Sequence, residues 1–171
     1  MSVSDQLSLG MRQGACRSLD GSMRKIGHCL DQLTEDQLWW RPAEGLNSVG
    51  NLMLHLAGNL RQWVVAGVGG AVDNRDRPSE FSADRTLEKE QLWTILQTAV
   101  EEAKQAILAT SDADLIRQRL VQNFEVSGVE AIFDSVPHFQ GHAQEIICLT
   151  RMQLGDGYEF AWVPRTPEEG L

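Results

Sequence analysis

Apolar residues recur every three or four positions along four long stretches of the chain. In the first stretch, for example, Leu19, Met23 and Ile26 follow this spacing. Such a spacing places the apolar side chains on one face of an α-helix, and the polar residues between them cover the opposite face. We therefore predict four amphipathic helices, over residues of about 4–33, 49–68, 87–109 and 129–154.

Residues that cap or break helices mark the ends of these stretches. Thr34 and Gln37 have the spacing of a capping box, which predicts one short helical turn after the first long helix. Either Asn47 or Ser48 can cap the second long helix, because both side chains accept hydrogen bonds from free amides at a helix start. Gly155 is expected to end the last helix.

Two connecting segments lack the helical periodicity. The stretch AVDNRDRPSEFSADR, residues 71–85, is polar and contains a proline, so we predict a loop. Residues 111–128 fit either an extended strand or a frayed continuation of the third helix, and we assign them only as a connector. Pro137 lies inside the last helix, where it removes one backbone hydrogen bond and predicts a kink or bulge.

Four long helices without a strand-rich stretch predict an all-α fold, a four-helix bundle with a kinked last helix. A length of 171 residues is that of one ordinary domain, so we expect a single domain over residues 1–171. The C-terminal tail, DGYEFAWVPRTPEEGL, is rich in proline and aromatic residues. We expect this irregular tail to pack over one end of the bundle.

Charge and composition exclude several classes of protein. The formal net charge is −9 and the basic residues are scattered, so we expect no nucleic-acid binding. No apolar run approaches the roughly 20 residues of a membrane span, and the N-terminal segment lacks the layout of a signal peptide. We therefore expect a cytoplasmic protein. Cys16, Cys29 and Cys148 are odd in number and lack CxxC spacing, which predicts reduced, mostly buried thiols.

Two histidines of the last predicted helix, His138 and His142, lie four residues apart in PHFQGHAQE. Residues at this spacing project from one helix face on neighbouring turns, so two imidazole nitrogens can meet one metal ion. His55, between Leu54 and Leu56, is a polar residue on a predicted helix that should face the core. As a third ligand from a facing helix, it would leave at least one coordination position open, as in catalytic metal sites.

The same residues also fit a simpler interpretation, in which each histidine is a core or boundary imidazole bonded to a neighbouring group. The sequence pattern alone leaves both interpretations open. His28 has no histidine at helical spacing and is assigned no metal role.

Polar residues near the three histidines are candidates to hold them in place. Asn51 and Asn59 lie four residues before and after His55, and Glu145 lies three residues after His142. An amide or carboxylate that accepts the second ring N–H would fix the tautomer and orientation of a ligand histidine. Helix capping, or contact of these polar side chains with water on the helix surface, would explain the same residues without a metal.

Arginines near helix ends and in loops are candidates to bind an anionic group of a substrate. They are Arg41, Arg61, Arg75 and Arg77. Arg41 and Arg75 are our main candidates for a pocket wall. Solvated surface ion pairs are the alternative interpretation for all of them.

Three segments of the chain resemble the DinB/YfiT-like superfamily of metal-binding four-helix-bundle proteins, and the resemblance extends over nearly the whole sequence. The segments are WWRPAEGLNSVGNLMLHLAGNLRQW, NRDRPSEF, and HFQGHAQEIICLTRMQLG followed by WVPR. The resemblance implies a DinB-like bundle and a divalent-metal site, with zinc or nickel held by His55, His138 and His142. It also implies a homodimer, and a structural or pocket-wall role for Trp40, Arg41 and Pro42.

The resemblance is less specific about function, because one fold with one metal supports several chemistries. Relatives include transferases and isomerases that use low-molecular-weight thiols, and others are described as metal-dependent hydrolases. We therefore expect a metal-dependent enzyme that acts on a small molecule by thiol S-transfer or hydrolysis, with metal-bound water or thiol as the reactive group. The alternative is a non-catalytic, stress-associated dimeric module that binds a metal or another ligand.

Overall fold

Four long helices form the framework of the computed structural model, which describes residues 2–163. They are α1 (Val3–Gln32), α3 (Val49–Leu60), α5 (Lys89–Ala109) and α7 (Gly128–Leu154). Short helices lie between them: α2 (Glu35–Leu38), α4 (Arg77–Ser82) and α6 (Asp112–Ile116). Two strands, β1 (Gln118–Val121) and β2 (Phe124–Ser127), precede α7, and a 3-10 turn follows it at Gly155–Gly157.

The long helices pack in a ring: α1 contacts α5 and α7, and α3 contacts the same two helices from the other side. Their apolar faces meet in one core, with Leu19, Leu56, Leu96 and Phe139 completely buried. Burial of these faces is what stabilises the helices, since isolated helices are marginal in water. The all-α fold expected from the periodicity is confirmed.

Side-chain caps set the helix starts. Thr34 and Gln37 form the expected capping box at α2. At the start of α3 the cap is Ser48, not Asn47, and the reciprocal partner is the side chain of Asn51. The second helix differs from its expected form, because its continuation after Leu60 is a π-helical segment, Arg61–Ala66. There the amide of Gly67 bonds to the carbonyl oxygen of Gln62, five residues earlier.

The connector at residues 111–128 contains a hairpin. Strands β1 and β2 pair antiparallel, with Gln118 opposite Ser127 and Val121 opposite Phe124. The two residues between them, Gln122 and Asn123, have φ angles of +49° and +66°. Such angles suit the tight turn whose twist matches a hairpin, but the usual sequence signal for it is Asn-Gly or Asp-Gly. Of the two alternatives for this connector, an extended strand is therefore correct for residues 118–127, apart from the turn.

The prediction of a loop over residues 71–85 is wrong for residues 77–82, which form α4. Pro78 lies in the first turn of this helix, where a proline breaks no internal hydrogen bond. The helix packs on α3 and carries one buried carboxylate, Glu80, towards it. This short element supplies the main residue that the sequence pattern did not reveal.

Helix α7 is continuous around Pro137, and the predicted kink stays a prediction. After α7, the main-chain carbonyl oxygen of Glu159 is bonded by Gln32 near the end of α1, so this part of the tail packs there. The remainder of the tail, residues 164–171, lies outside the described residues. Cys16 and Cys29 are buried, and Cys148 is exposed. Within residues 2–163, no helix has the length and apolar character needed to span a membrane.

Candidate metal centre

The three histidines come together where α3 packs against α7. His55 projects from α3, and His138 and His142 project from successive turns of α7. The Nε2 atoms of His55 and His138 lie 3.0 Å apart. One ring nitrogen from each of the three residues lies within 4.8 Å of the other two. The structure therefore brings the predicted triad together.

This arrangement fits a divalent cation. In a tetrahedral site with metal–nitrogen bonds of about 2.0–2.1 Å, two ligand nitrogens lie about 3.3 Å apart. The rings of His138 and His142 have centroids 4.5 Å apart, and each lies 5.1 Å from the ring of His55. All three pairs of rings are close to perpendicular, so the rings do not stack on one another. Three imidazole nitrogens grouped in this way are a suitable donor set for zinc, nickel or similar ions.

The protonation of His138 also suits a ligand. Burial lowers the pKa of His138 to about 4, with further contributions from His142, His55, Arg75 and Arg77. A neutral imidazole has a free lone pair on one nitrogen, which metal binding requires. His138 is therefore ready to bind a cation near neutral pH.

Glu80 fixes the orientation of His55. Its carboxylate is 6% exposed and lies 3.0 Å from Nδ1 of His55. Nδ1 also lies 3.1 Å from Nη2 of Arg75, but that nitrogen already donates to Glu80 at 2.8 Å. A carboxylate only accepts hydrogen bonds, so Nδ1 carries the proton in its contact with Glu80. The lone pair of His55 is then on Nε2, the atom that faces His138. A carboxylate behind a ligand histidine is the usual device for selecting the metal-binding tautomer.

Arg75 holds Glu80 in turn. Its Nε and Nη2 atoms donate to the two carboxylate oxygens at 2.6 and 2.8 Å, and Nη1 donates to Gln62 at 3.0 Å. The side chains of Arg75 and Glu80 are only 3% and 7% exposed. Burial alone would raise the pKa of Glu80, but the hydrogen bonds from Arg75 and His55 outweigh it and keep the pKa below its usual value. Glu80 is therefore ionised near neutral pH.

Replacing Gly58 with alanine is expected to destabilise the protein by about 1–3 kcal/mol, even though alanine favours a helix more than glycine does. The added Cβ would lie 2.0 Å from Oε1 of Glu80 and 3.0 Å from Nε of Arg75. Neither group can move away without breaking the buried ion pair. Urea unfolding measures the change in the free energy of unfolding.

The matched control for this substitution is Gly21→Ala on α1. The nearest atom to its added Cβ is the far end of Arg24, 3.8 Å away. This control should be neutral or stabilise by up to about 1 kcal/mol. A Gly58→Ala protein as stable as the control would show that α4 does not pack as described.

Glu145 contacts the third histidine. Its Oε2 lies 2.7 Å from Nδ1 of His142, which leaves Nε2 of that ring for the metal. The Glu145 side chain is 44% exposed. The contact has the geometry expected from the sequence, but water weakens an exposed pair, so Glu145 orients its histidine less firmly than Glu80 does.

Two other residues proposed from the sequence have different contacts. Asn51 caps α3 through Ser48, and its Nδ2 donates to the main-chain oxygens of Glu80 and Ala83 at 3.0 and 2.8 Å. Arg41 donates to the main-chain oxygens of Phe81 and Ala83. Both residues therefore anchor α4 and its C-terminal end. For Asn51 the structure therefore shows the capping alternative, and a pocket-wall role for Arg41 stays a prediction.

A cleft of about 270 Å³ opens beside the histidines. Asn59 lies in its wall, but the Asn59 side chain accepts a hydrogen bond from Ser135 at 2.8 Å and does not bond to an imidazole. The hairpin turn brings Gln122 to the cleft, and α7 brings Asp134, one helical turn before His138. The complete lining is His55, Asn59, Trp63, Arg75, Arg77, Gln122, Asp134 and His138. A small molecule in this cleft would lie against the candidate metal centre.

Comparisons with solved structures agree with the fold. A conserved protein from Enterococcus faecalis superposes with a TM-score of 0.72 at 18% identity, covering 84% of this chain and 96% of the other. A DinB-like protein from Bacillus cereus has a TM-score of 0.67 at 15% identity, with coverages of 89% and 97%. At such low identity the likeness concerns the fold alone.

A third similar structure is that of a mycothiol-dependent maleylpyruvate isomerase. It has a TM-score of 0.62 at 16% identity, and the match covers 79% of this chain but 60% of the isomerase. Among curated proteins, no sequence matches.

A family comparison extends over most of the sequence. The sequence model described as "Protein of unknown function (DUF1572)" matches residues 13–167. This match includes all three histidines, both members of the buried ion pair, most of α1 and the whole of the other three long helices. The chain therefore belongs to the DUF1572 family, and its fold is similar to that of DinB-like proteins.

Proposed function

We propose that this protein is a metal-dependent enzyme that forms or breaks the bond between the sulfur of a thiol and a small electrophilic molecule. One observation carries the proposal: nitrogens of three histidines lie within 4.8 Å of one another, two of these histidines line a cleft, and the group has no fourth protein ligand among residues 2–163. Structural metal sites are closed by four protein ligands, whereas catalytic sites keep a position for substrate.

A divalent cation such as zinc or nickel would supply Lewis acidity and would lower the pKa of a bound thiol or water. The side chains of this protein supply the positioning. Glu80 and Glu145 hold two of the ligand imidazoles, and the buried Arg75 holds Glu80. Asp134 borders the cleft near His138 and is placed to accept a proton when a thiol or water reacts.

Thiol transfer is supported by the shared fold with an isomerase that is mycothiol-dependent. Hydrolysis is the second candidate, because Asp134 in the cleft can serve as general base for water as well as for a thiol. The two reactions place the same demands on the histidines. They differ in whether sulfur or oxygen forms the new bond.

The experiment compares the metal-stripped protein with protein reloaded with Zn²⁺ or Ni²⁺. Each form is incubated with cysteine or glutathione and 1-chloro-2,4-dinitrobenzene, and separately with nitrophenyl esters in water. In the thiol reaction a carbon–sulfur bond forms, chloride leaves, and the thiol proton is released. We expect the metal-loaded protein to accelerate the thiol reaction and the stripped protein to fall to the uncatalysed rate.

The other outcomes decide between the candidates. Metal-dependent ester cleavage without thiol transfer would favour hydrolysis. A metal that raises the melting temperature but accelerates neither reaction would support the non-catalytic module.

A further inference from the structure

We infer that the cleft selects substrates that carry a carboxylate group, and that Arg77 is the residue that recognises it. This inference rests on the proposed function and gives its substrate class. It follows from what each arginine near the site already binds, and from the charge that remains in the cleft.

Three of the four candidate arginines are already bonded to other groups. Arg75 makes two hydrogen bonds to the buried carboxylate of Glu80, so its charge is cancelled within the protein. The Nε atom of Arg61 donates to Glu102 at 2.9 Å. Arg41 is bonded to main-chain oxygens at the end of α4. Arg75 and Arg41 would lose these contacts by binding a ligand, and Arg61 does not line the cleft.

Arg77 differs from the other three. Its guanidinium carbon lies 4.9 Å from the centre of the Phe81 ring, and that ring lies 5.0 Å from the ring of His55. Stacking on an aromatic ring uses the face of the guanidinium and leaves its N–H groups free at the edge. Over residues 2–163, Arg77 forms no ion pair, although it borders the cleft. The Phe81 ring therefore holds a free guanidinium beside the candidate metal centre.

The charges of the cleft favour an anion. Arg75 and Glu80 cancel each other, and Arg77 and Asp134 have opposite charges but form no ion pair in the described part of the chain. A divalent cation at the histidines would then leave the site with a net positive charge. A carboxylate matches the planar fork of Arg77, which can donate two parallel hydrogen bonds to it. Asp134 would repel a second carboxylate on its own side of the cleft, so recognition is directional.

The test uses two rigid thiols that differ only in the anionic group, 4-mercaptobenzoate and 4-mercaptobenzamide. A para substituent cannot reach the metal to which the sulfur of the same molecule is bound, so a change in the preference for the carboxylate after a substitution in the protein comes from the protein. Isothermal titration calorimetry on the zinc-loaded full chain gives a Kd for each probe. For each protein we take the ratio of the two Kd values and compare this ratio between the wild type and its variants. Any difference in affinity between the two thiol groups themselves is the same for every protein and cancels in this comparison.

We expect the wild type to prefer the carboxylate, and Arg77→Gln to reduce that preference by about tenfold, with an unchanged Kd for the amide. Arg77→Lys should keep part of the preference. Arg61→Gln is the matched control, because it removes the same charge from a residue paired with Glu102, and it should leave the ratio unchanged.

Three results would overturn the inference. An equal ratio in wild type and Arg77→Gln would show that Arg77 does not read the carboxylate, and so would a wild-type protein that binds zinc but not 4-mercaptobenzoate. In both cases the proposed metal chemistry would survive. Failure of the wild type to bind zinc would instead contradict the proposed function, and the inference with it.

Discussion

Replacing His142 with alanine is expected to lower the affinity for a divalent metal by roughly 100- to 1,000-fold, so that the purified protein contains almost no metal. Binding of a structural zinc ion by four ligands is worth about 10–16 kcal/mol in apparent free energy, or several kcal/mol for each ligand. Two histidines would remain, and His55 and His138 lie on different helices without a third donor in their group. Metal content per chain and competition with a chelator of known affinity measure the effect.

The matched control is His28→Ala, which removes the histidine that does not belong to the triad. His28 lies on α1, where its Nε2 contacts the main-chain oxygen of Glu159 at 2.6 Å, and it is not a member of the group of three. This variant should retain wild-type metal content. Metal should also raise the melting temperature of the wild type and of His28→Ala but not that of His142→Ala. Full metal retention with unchanged affinity in His142→Ala would show that the triad is not the metal site.

The histidine triad could be predicted because every step from sequence to site depends on helical geometry. The four-residue spacing fixes the relative positions of His138 and His142 once the segment is a helix. His55 is surrounded by apolar residues whose period identifies the buried face. No detail of a loop enters this argument. The long helices were predictable for the same reason, since their apolar faces are continuous.

Glu80 could not be predicted in this way, because its role depends on tertiary packing. In the sequence it belongs to a polar stretch with a proline, where an acidic residue usually lies in solvent. Glu80 can be buried because Gly58 has no side chain. In the sequence, this glycine indicates only a low helix propensity. One signal was present: a histidine ligand needs an acceptor for its second N–H, and the acceptor can come from any segment.

The hairpin turn was missed for a related reason. Gln122 and Asn123 both adopt positive φ angles without a glycine, so the usual signal of a tight hairpin is absent. The turn brings Gln122 into the cleft that His55 and His138 also line. In the sequence, Gln122 lies 67 residues after His55 and 16 residues before His138. The cleft is therefore assembled from α3, α4, the hairpin and α7. Such a combination has no local pattern in the sequence.

Replacing Glu80 with glutamine is expected to lower the free energy of unfolding by about 3–5 kcal/mol, because it leaves the buried guanidinium of Arg75 without a counter-charge. The side chain keeps its shape, so no cavity contributes to the change. The same substitution should weaken metal binding by about 10–100-fold, since the amide no longer requires the Nδ1-protonated tautomer of His55. Urea unfolding of the metal-free protein and chelator competition measure the two effects separately.

Glu102→Gln is the matched control, since it makes the same chemical change in the Arg61–Glu102 pair, whose side chains are 42% and 41% exposed. An exposed pair is worth at most about 1 kcal/mol, so this variant should be nearly as stable as the wild type and bind metal equally well. The double variant Arg75→Met/Glu80→Leu separates the two roles of Glu80. It removes both buried charges and should recover much of the stability, but it leaves Nδ1 of His55 without an acceptor and should not recover metal affinity. Wild-type metal affinity in the double variant would show that Glu80 stabilises the fold without orienting His55.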